Sequence, residues 1–274
     1  MQIAGIDLTD IHETALWNLY TRAKESQRPE GVLQDSQCIR LFEAIDYDYE
    51  GRFGKKQNGL HAEKSRIFDT VVKAWLTEHP HGTVVELGAG LETQFQRIDN
   101  GTVSWVSVDL DELIEIREKF LPPIDRQHYI AADVCDLSWM DEVGSGPTLI
   151  TAQGVLMFLH EEQVRHLIVA IIDRFTGAEL VFDTISPVMS RKSMSGYYLT
   201  ANCRLPIMPW GITRNDIAPT LRQWHTNISS VEVQSFGAVH GPLKVLKPLA
   251  FSIPALRDIA PVVAHVKTAT TAPR

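Results

Sequence analysis

The sequence has few cysteines and no long apolar run. Its three cysteines, Cys38, Cys135 and Cys203, are widely spaced and odd in number. This spacing gives neither a disulfide framework nor a CxxC zinc pattern, so we expect buried or free thiols in a reducing compartment. No apolar stretch approaches the roughly 20 residues that a membrane span requires, and the acidic N-terminal segment does not resemble a signal peptide. These absences predict a cytoplasmic protein.

A basic surface and a metal-ligand cluster are absent as well. The formal net charge is −8, with acidic and basic residues interspersed, whereas binding to nucleic acid draws on a basic face. Of the ten histidines only His79 and His81 are close neighbours, and they flank Pro80 just before a predicted strand. No helical histidine pair supports a metal site. We therefore expect a small-molecule substrate, no nucleic acid, membrane or metal partner, and a monomer or homodimer.

The most informative stretch covers residues 83–109. Thr83–Leu87 is a short β-branched run typical of a buried strand, and Gly88-Ala89-Gly90 follows at once. A second predicted strand, 105–108, ends at Asp109. A strand, a glycine turn, a helix and a strand ending in a carboxylate form the first half of a nucleotide-binding βαβ unit. Glycine lets the backbone approach a ligand, and the carboxylate can accept ribose hydroxyl protons, so the stretch predicts an adenosine-type cofactor.

Two residues bear on which cofactor this unit binds. A dinucleotide fingerprint has a third glycine at position 93, where this chain has Thr93. Glu86, a further candidate cofactor residue, places negative charge beside the turn, which disfavours a pyrophosphate and suits the cationic groups of S-adenosylmethionine. The pattern therefore favours S-adenosylmethionine over NAD. An NAD-dependent oxidoreductase and a purely structural turn in another α/β domain remain alternatives.

Alternating helices and strands surround this unit. Helices are predicted at 9–26, 35–45, 61–78, 111–120 and 161–175, and further strands at 127–132, 148–152 and 179–183. Such alternation implies a parallel sheet whose ligands bind outside the carboxyl ends of the strands. Asp109, Asp133 and Gln153 all fall at these ends, so we expect them to converge beside the glycine turn. The polar connection 46–59 is expected to be mobile.

The pattern changes after the fifth predicted strand. Residues 186–215 show no clear period and are rich in methionine, proline and aromatic side chains. Such an insertion suits a substrate lid, with Tyr197, Tyr198 and Trp210 as candidate substrate-binding residues. The alternative is a segment that packs into the core.

The C-terminal region is predicted to close the sheet. A helix is expected at 216–225, followed by antiparallel strands at 231–239 and 245–252. The chain from about Val266 onward is expected to be frayed. The whole chain then forms one α/β domain over 1–274, divided into an N-terminal helical arm at 1–80, a cofactor-binding core at 81–185, a lid or substrate region at 186–225 and closing strands at 226–274.

Several separated motifs, in order along the chain, carry a family resemblance. They are ETALWNLYTRAKESQRPEGVLQD, VVELGAGLETQFQRID, WVSVDLDELIEIREKFLP, ITAQGVLMFL and PIMPWG. The chain is similar to the leucine carboxyl methyltransferase family, and particularly to its branch of tetracenomycin-type polyketide O-methyltransferases. The resemblance implies a class I S-adenosylmethionine-dependent methyltransferase with a Rossmann-like sheet, an N-terminal helical arm and a lid insertion after strand 5. It also implies O-methylation of a small molecule, on a carboxyl group of a secondary metabolite.

The glycine turn and Asp109 are the first candidate cofactor residues. The backbone that Gly88 and Gly90 permit, with Ala89 between them, is expected to face the methionine part of the cofactor. Asp109, followed by Leu110, is expected to bind the ribose. Its alternative role is to cap the helix that begins there.

The resemblance supplies the remaining cofactor residues. Asp133 and Val134 correspond to the family's adenine-binding position, and the alternative for Asp133 is a turn aspartate before Cys135. Arg66 matches the basic residue that holds the cofactor's carboxylate, a task that suits a guanidinium, and Arg22 is a second candidate. Gln153 departs from the family, because leucine carboxyl methyltransferases proper have glutamate there. A glutamine keeps an acceptor oxygen for the cofactor's amino group but lacks the charge.

The reaction itself leaves few residues to assign. A carboxylate acceptor is already a nucleophile at neutral pH and needs no base, whereas a phenol or alcohol would call for one. His225 and His240 lie late enough in the chain to reach the strand ends, and a structural role is the alternative for both. We therefore assign no proton-transfer residue. Hydroxyl, carbon and peptide-terminal acceptors remain open, as does a non-catalytic adenosine-binding module.

Overall fold

A computed structural model describes residues 2–3, 6–7, 10–241, 252–253 and 259–270 of the chain. Within these ranges the helices are α1 Asp10–Ser26, α2 Ser36–Ala44, α3 Tyr49–Phe53, α4 Leu60–Glu78, α5 Gln94–Ile98, α6 Asp111–Phe120, α7 Glu161–Arg174, α8 Pro187–Met194 and α9 Ile217–Trp224. The strands are β1 Gln2–Ile3, β2 Ile6–Asp7, β3 Thr83–Leu87, β4 Ser104–Asp109, β5 Gln127–Ala131, β6 Thr148–Ala152, β7 Glu179–Thr184, β8 Ile228–Ser235 and β9 Val262–Thr268. Short 3-10 helices lie at Leu137–Glu142 and Leu156–Phe158.

The described strands β3 to β9 form one seven-stranded sheet in the order β5-β4-β3-β6-β7-β9-β8. Strands β3 to β7 are parallel, as the alternating pattern predicts, while β9 pairs antiparallel with β7 and β8 pairs antiparallel with β9. Leu87 is level with Val108 on one side and Ala152 on the other. The carboxyl ends of the central strands therefore meet at one edge, which is where the topology predicts a ligand.

Both faces of the sheet are covered. Every residue of β6 and β7 is buried, as expected for strands of a parallel sheet between two helical layers. On one face Val85 packs in a core that includes Ile168 of α7; on the other, Val84 packs with Phe68 of α4. Because side chains alternate along a strand, consecutive valines of β3 contribute to two different cores.

The N-terminal arm joins the sheet through a third core. Leu16, Leu19, Tyr20 and Ala23 form the buried stripe of α1, as their helical spacing predicts, and they pack with residues of α2, α3 and α6. The connection 46–59 contains α3, whose ends Tyr49 and Phe53 are buried. Two aromatic side chains of this segment thus complete the core of the arm, a contact that its polar composition does not predict.

The C-terminal region requires two corrections. Strand β8 begins at Ile228 and ends at Ser235, earlier than predicted, and the predicted strand at 245–252 lies outside the described residues apart from Ser252. The expectation of fraying from Val266 is wrong for residues 266–268, because β9 continues to Thr268 and is inserted between β7 and β8; residues 271–274 of the predicted segment lie outside the described residues. Its pairing with β7 outweighs the tendency of chain ends to be disordered. Among the described helices, none has the length and apolar character needed to cross a bilayer.

Candidate active site

A cavity lies where the carboxyl ends of β3 to β6 face helices α1 and α4. Several predicted cofactor residues line it: Arg22, Gly88, Ala89, Gly90, Asp109, Leu110, Asp133, Val134 and Gln153. Residues that the sequence reasoning missed also line it: Asn18, His61, Lys64, Ser65 and Glu92. The residues after the strand ends form one part of the lining, the strand-end wall, and the residues of the two helices form another, the helical wall.

The glycine turn after β3 needs glycine at two positions for two reasons. Gly88 and Gly90 have φ values of 60° and 47°, in the left-handed region that side chains disfavour. An added Cβ at Gly88 would lie 2.2 Å from Cγ2 of Val155, so packing alone excludes a side chain there. An added Cβ at Gly90 would lie 3.3 Å from Cβ of Ala15, which is a tight contact and not a clash. Gly90 is therefore required by its conformation and by its position on the cavity wall.

Asp109 is fixed at the end of β4 by backbone donors. Its Oδ2 accepts a hydrogen bond from the Gly90 N–H at 2.6 Å, and its Oδ1 accepts one from the Leu110 N–H at 2.8 Å. The carboxyl group is buried; burial raises its pKa, and the two N–H donors oppose that rise. Leu110, not Asp109, occupies the N-cap position of α6. Each oxygen keeps a lone pair for a ligand hydroxyl, so the geometry favours the binding role over the capping role.

Glu92, at the end of the glycine turn, is a buried anion held by two arginines. It accepts hydrogen bonds from Arg22 and from Arg97, the latter at 2.7 Å, and from the Thr93 N–H at 2.9 Å. Gln153 also donates to it. Burial alone would raise the pKa of Glu92, but the nearby charges of Arg22 and Arg97 lower it well below its usual range. Gln153 therefore contacts a carboxylate of the chain itself.

Arg97 connects this anion to the helical arm. Its guanidinium lies 2.6 Å from Asp35 Oδ2 and 2.8 Å from Asp69 Oδ2, in addition to Glu92. Asp35 is the N-cap of α2 and Asp69 lies on α4, so one buried arginine ties both helices to the glycine turn. Removing one partner from such a network would leave uncompensated buried charge, so the network fixes the position of the arm over the cavity.

We expect a pH-dependent loss of stability in the Glu92→Gln variant. The pKa of Glu92 in the folded protein is below the usual value of 4.5, so the carboxylate stabilises the fold above that pH and this contribution is lost as the pH falls. The variant lacks it at every pH. The difference in melting temperature between the two proteins should therefore be largest near neutral pH and should shrink below a pH of about 4.5. A difference that stays constant from pH 7 to pH 3 would contradict the ionised state of Glu92.

Two cations lie in the helical wall of the cavity. Arg22 on α1 donates to the Leu91 carbonyl at 2.7 Å as well as to Glu92, and its Nε is buried with no hydrogen-bond partner among the described residues. Lys64 on α4 lies 3.2 Å from Asp183 Oδ2, and both side chains are buried. An added Cβ at Gly154 would lie 3.2 Å from Lys64 Nζ, which places the ammonium beside the loop after β6.

Arg66, predicted as the main carboxylate ligand, does not line the cavity. Its side chain is 45% exposed and pairs with Glu63 at 2.9 Å. Two positions along a helix correspond to a rotation of about 200° about the helix axis. Arg66 and Lys64 therefore lie on nearly opposite faces of α4 and cannot face the same cavity. Lys64 lies three positions before the buried Ile67, and this helical spacing could have identified it as the inward-facing cation.

We therefore expect Arg66→Ala to change the affinity for S-adenosylhomocysteine by less than about twofold, because an exposed ion pair contributes little. The measurement is calorimetric titration of the wild-type and variant proteins. A loss of more than about tenfold, which corresponds to roughly 1.4 kcal/mol, would show that Arg66 turns into the cavity when ligand binds.

Glu86 also lies outside the cavity wall. Its carboxyl group is buried beneath the glycine turn, where it accepts hydrogen bonds from Ser107 Oγ at 2.9 Å and from Trp105 Nε1 at 3.2 Å. Burial raises its pKa, and the nearby Arg117 opposes this. Arg117 also donates to the carbonyls of the glycine turn. Glu86 and Arg117 thus support the turn from beneath, and Glu86 is not among the residues that line the cavity.

The predicted substrate residues do not line the cavity. Tyr197 and Tyr198 are 42% and 59% exposed. Trp210 is buried, and its ring centroid lies 6.3 Å from that of Phe182. Both residues belong to the core that includes Val85 and Ile168. The core-packing alternative therefore fits Trp210 better than the lid. Segment 186–215 reaches the cavity region through Leu205 and Met208, which form a cluster with Met157 against Trp17 and Phe158.

The two candidate histidines have structural partners. His225 lies 3.0 Å from Asp173 Oδ1, and His240 lies 2.8 Å from Glu25 Oε2. Neither lines the cavity. Their contacts fit the structural role that the sequence left open for both.

The chemistry of the cavity fits an adenosyl amino acid. The strand-end wall presents the carboxylates Asp109 and Asp133, which suit hydroxyl and amino donors, and the helical wall presents the cations Arg22 and Lys64, which suit a carboxylate. Buried polar atoms in the helical wall lack partners among the described residues, including Arg22 Nε and Asn18 Oδ1. Such atoms are costly unless a ligand satisfies them. S-adenosylmethionine carries groups that match both walls.

Comparison with known proteins agrees with this chemistry. Residues 15–172 match the family model described as leucine carboxyl methyltransferase. The tetracenomycin polyketide synthesis O-methyltransferase TcmP of Streptomyces glaucescens is 31% identical over 185 residues, which cover 66% of this chain and 68% of that protein. The S-adenosyl-L-methionine-dependent methyltransferase dpfgK of Gibberella zeae is 23% identical over 201 residues, covering 65% of this chain and 67% of that one.

Solved structures show the same fold. The N-methyltransferase NodS from Bradyrhizobium japonicum WM9, in complex with S-adenosyl-L-homocysteine, matches with a TM-score of 0.51 over 92% of this chain and 98% of that one. The sequence identity of the two is 12%. At this identity the likeness supports the class of fold and nothing finer.

Proposed function

The chain belongs to the leucine carboxyl methyltransferase family and is an S-adenosylmethionine-dependent methyltransferase, and on that premise we propose that it methylates a carboxyl oxygen of a small polyketide-like molecule. The observation that carries the proposal is the similarity to TcmP, a polyketide O-methyltransferase, over most of both chains. Family membership also argues against the NAD-dependent oxidoreductase and the non-catalytic adenosine-binding module.

Different cavity residues are suited to different parts of the methyl donor. Asp109 is suited to the ribose hydroxyls, because both its oxygens are already oriented by backbone N–H groups. Asp133 and Val134 follow β5 and are suited to the adenine. Arg22 and Lys64 are suited to the carboxylate of the amino-acid part. When bound, S-adenosylmethionine supplies an electrophilic methyl group on its sulfonium.

The residues around the acceptor position have to orient it and exclude water. An in-line displacement requires the acceptor oxygen close to the methyl carbon and aligned with it. The aromatic ring of Phe158 lines the cavity, and the buried apolar cluster of Met157, Leu205 and Met208 packs behind it and against Trp17. Such surfaces suit an aromatic, polyketide-like acceptor better than the polar terminus of a peptide. A carboxylate acceptor is already nucleophilic, so no base is needed.

The proposal is tested by the chemistry of the product. Purified protein is incubated with tritiated S-adenosylmethionine and a panel of polycyclic aromatic carboxylic acids, with matched phenols and leucine-terminated peptides alongside. We expect label in the acids, in a form that mild alkali releases because it is a methyl ester. Label that resists alkali would indicate an ether or carbon acceptor, and label in the peptides would indicate a protein-terminal acceptor. Either result would contradict the proposal.

A further inference from the structure

His61 occupies an unusual position on the helical wall of the cavity. It is the second residue of α4, which follows Gly59 at a φ of 73° and has no side-chain cap at its N-terminus. The ring lies edge-on to Trp17, with the two ring centroids 4.8 Å apart. His61 and Lys64 are one turn apart and both face the cavity. The histidine thus lies between the apolar cluster near Trp17 and the cations that face the methyl donor.

Both ring nitrogens of His61 are buried without a hydrogen-bond partner among the described residues. Five other described histidines, in contrast, each lie within 4.0 Å of a carboxylate oxygen: His12, His128, His225, His240 and His265. A buried nitrogen without a partner costs free energy, and such groups in native proteins call for an explanation. Because the ring lines the cavity, a ligand in the cavity is the natural source of the missing partner.

The charges around His61 identify the kind of ligand. The charged groups that shift its pKa are Lys64 on its own helix and Arg22 on α1, and each of these cations also pairs with a buried carboxylate of the chain. Burial lowers the pKa of His61 well below its usual value, and these two cations lower it further. The imidazole is therefore neutral at physiological pH, and it offers one N–H donor beside two cations that are each paired with a carboxylate. An anionic oxygen is favoured there. A neutral imidazole also leaves a carboxylate unprotonated and therefore nucleophilic.

We propose that His61 binds the methyl acceptor by donating an N–H hydrogen bond to one oxygen of its carboxylate, which leaves the other oxygen free for methylation. Trp17 and Phe158 contact the hydrophobic body of the same acceptor. This inference rests on the proposed function for the class of acceptor, but it assigns a binding residue that the fold and the family match do not. His61 is a positioning residue for the acceptor; it removes no proton, because a carboxylate has none to give.

The test separates acceptor binding from cofactor binding and from turnover. The probe is 2-naphthoate, titrated by calorimetry into protein saturated with S-adenosylhomocysteine. His61→Ala is expected to raise the Kd for 2-naphthoate at least about tenfold, since a hydrogen bond to a charged group is lost. His61→Gln keeps an N–H donor and should recover most of the affinity. Both variants should bind S-adenosylhomocysteine within about twofold of wild type, because the cofactor groups face other residues.

Two controls make the result specific. His128→Ala removes a largely exposed histidine that pairs with Glu142 away from the cavity and should leave the Kd for 2-naphthoate unchanged. 2-Naphthol lacks the carboxylate and should bind wild type and His61→Ala equally. Nitrogen-15 NMR of the His61 ring should show a saturable shift with 2-naphthoate, which provides a readout independent of turnover.

The outcomes distinguish this inference from the proposed function. Equal affinity of wild type and His61→Ala for 2-naphthoate, or no saturable binding to wild type, would overturn the role of His61. A parallel loss of S-adenosylhomocysteine binding would assign His61 to the cofactor and also overturn it. The tritium assay on wild type decides the proposed function separately, since carboxyl methylation could persist in a protein whose His61 is dispensable.

Discussion

Replacing Asp109 by alanine should weaken the binding of S-adenosylhomocysteine by at least about 2 kcal/mol, or roughly thirtyfold, because charge-assisted hydrogen bonds contribute about 1.5–3 kcal/mol each. The carboxylate is positioned before any ligand arrives, by N–H groups of Gly90 and Leu110. Its removal therefore takes away the ribose acceptors and one hydrogen bond that shapes the glycine turn. Calorimetric titration of the folded variant measures the loss.

Asp111→Ala is the matched control for this prediction. Asp111 opens α6 two residues further on and is exposed, so the control removes the same charge from the same region without touching the cavity. Its affinity should stay within about twofold of wild type, as expected for an exposed charge. If Asp109→Ala were folded and bound the ligand as well as Asp111→Ala does, Asp109 would not belong to the site.

Gly90→Val should abolish measurable binding of S-adenosylhomocysteine while the protein remains folded. The residue has a φ of 47°, and a left-handed conformation costs a residue with a side chain about 1–2 kcal/mol. A Cβ there would already lie 3.3 Å from Ala15. The valine branches are therefore expected to enter the cavity where the backbone has to approach the ligand. Circular dichroism and calorimetric titration on the same sample measure the two effects.

Gly101→Val isolates the conformational part of this effect. Gly101 has a φ of 83°, and no atom lies within 4 Å of an added Cβ. It lies in the loop before β4, remote from the cavity wall. The control should lose stability through the same left-handed strain and keep its affinity for the ligand. Normal affinity in a folded Gly90→Val protein would contradict the role of the turn.

The cofactor side of the site could be predicted from the sequence because its signals are local. A β-branched run followed at once by Gly88 and Gly90 predicts a buried strand and a tight turn, and β3 has the bounds Thr83–Leu87 that the pattern indicates. The positions of Asp109 and Asp133 beside that turn follow from parallel topology alone. Neither step needs knowledge of distant contacts.

The wall formed by the helices was harder to predict, because it depends on contacts between distant segments. Helical periodicity could have placed Lys64 inward and Arg66 outward, since the two differ by two positions. No pattern in the sequence shows that His61 lacks a partner, because that depends on which side chains surround it. Likewise Glu92 follows the glycine turn directly, but its pairing with Arg22 spans 70 positions of the chain.

Strand pairing in the C-terminal half was also hard to predict, because it too depends on contacts between distant segments. Strand β9 pairs with β7, and Lys267 is level with Glu179 far earlier in the chain. A segment whose strand partner is so distant carries only a weak local signal for strand formation.

The insertion 186–215 could not be assigned from its composition, which fitted a lid and a core segment equally well. The structure shows that Trp210 is buried while Tyr198 is exposed. Composition could not divide the segment between these two environments.

A crystal structure of the complex with S-adenosylhomocysteine would show directly which residues bind each part of the cofactor. We predict that the ribose hydroxyls lie within hydrogen-bond distance of Asp109, that the adenine lies beside Asp133 and Val134, and that the amino-acid carboxylate faces Lys64 and Arg22. A ligand bound elsewhere, or one whose carboxylate faces Arg66 while Asp109 makes no contact, would contradict this prediction.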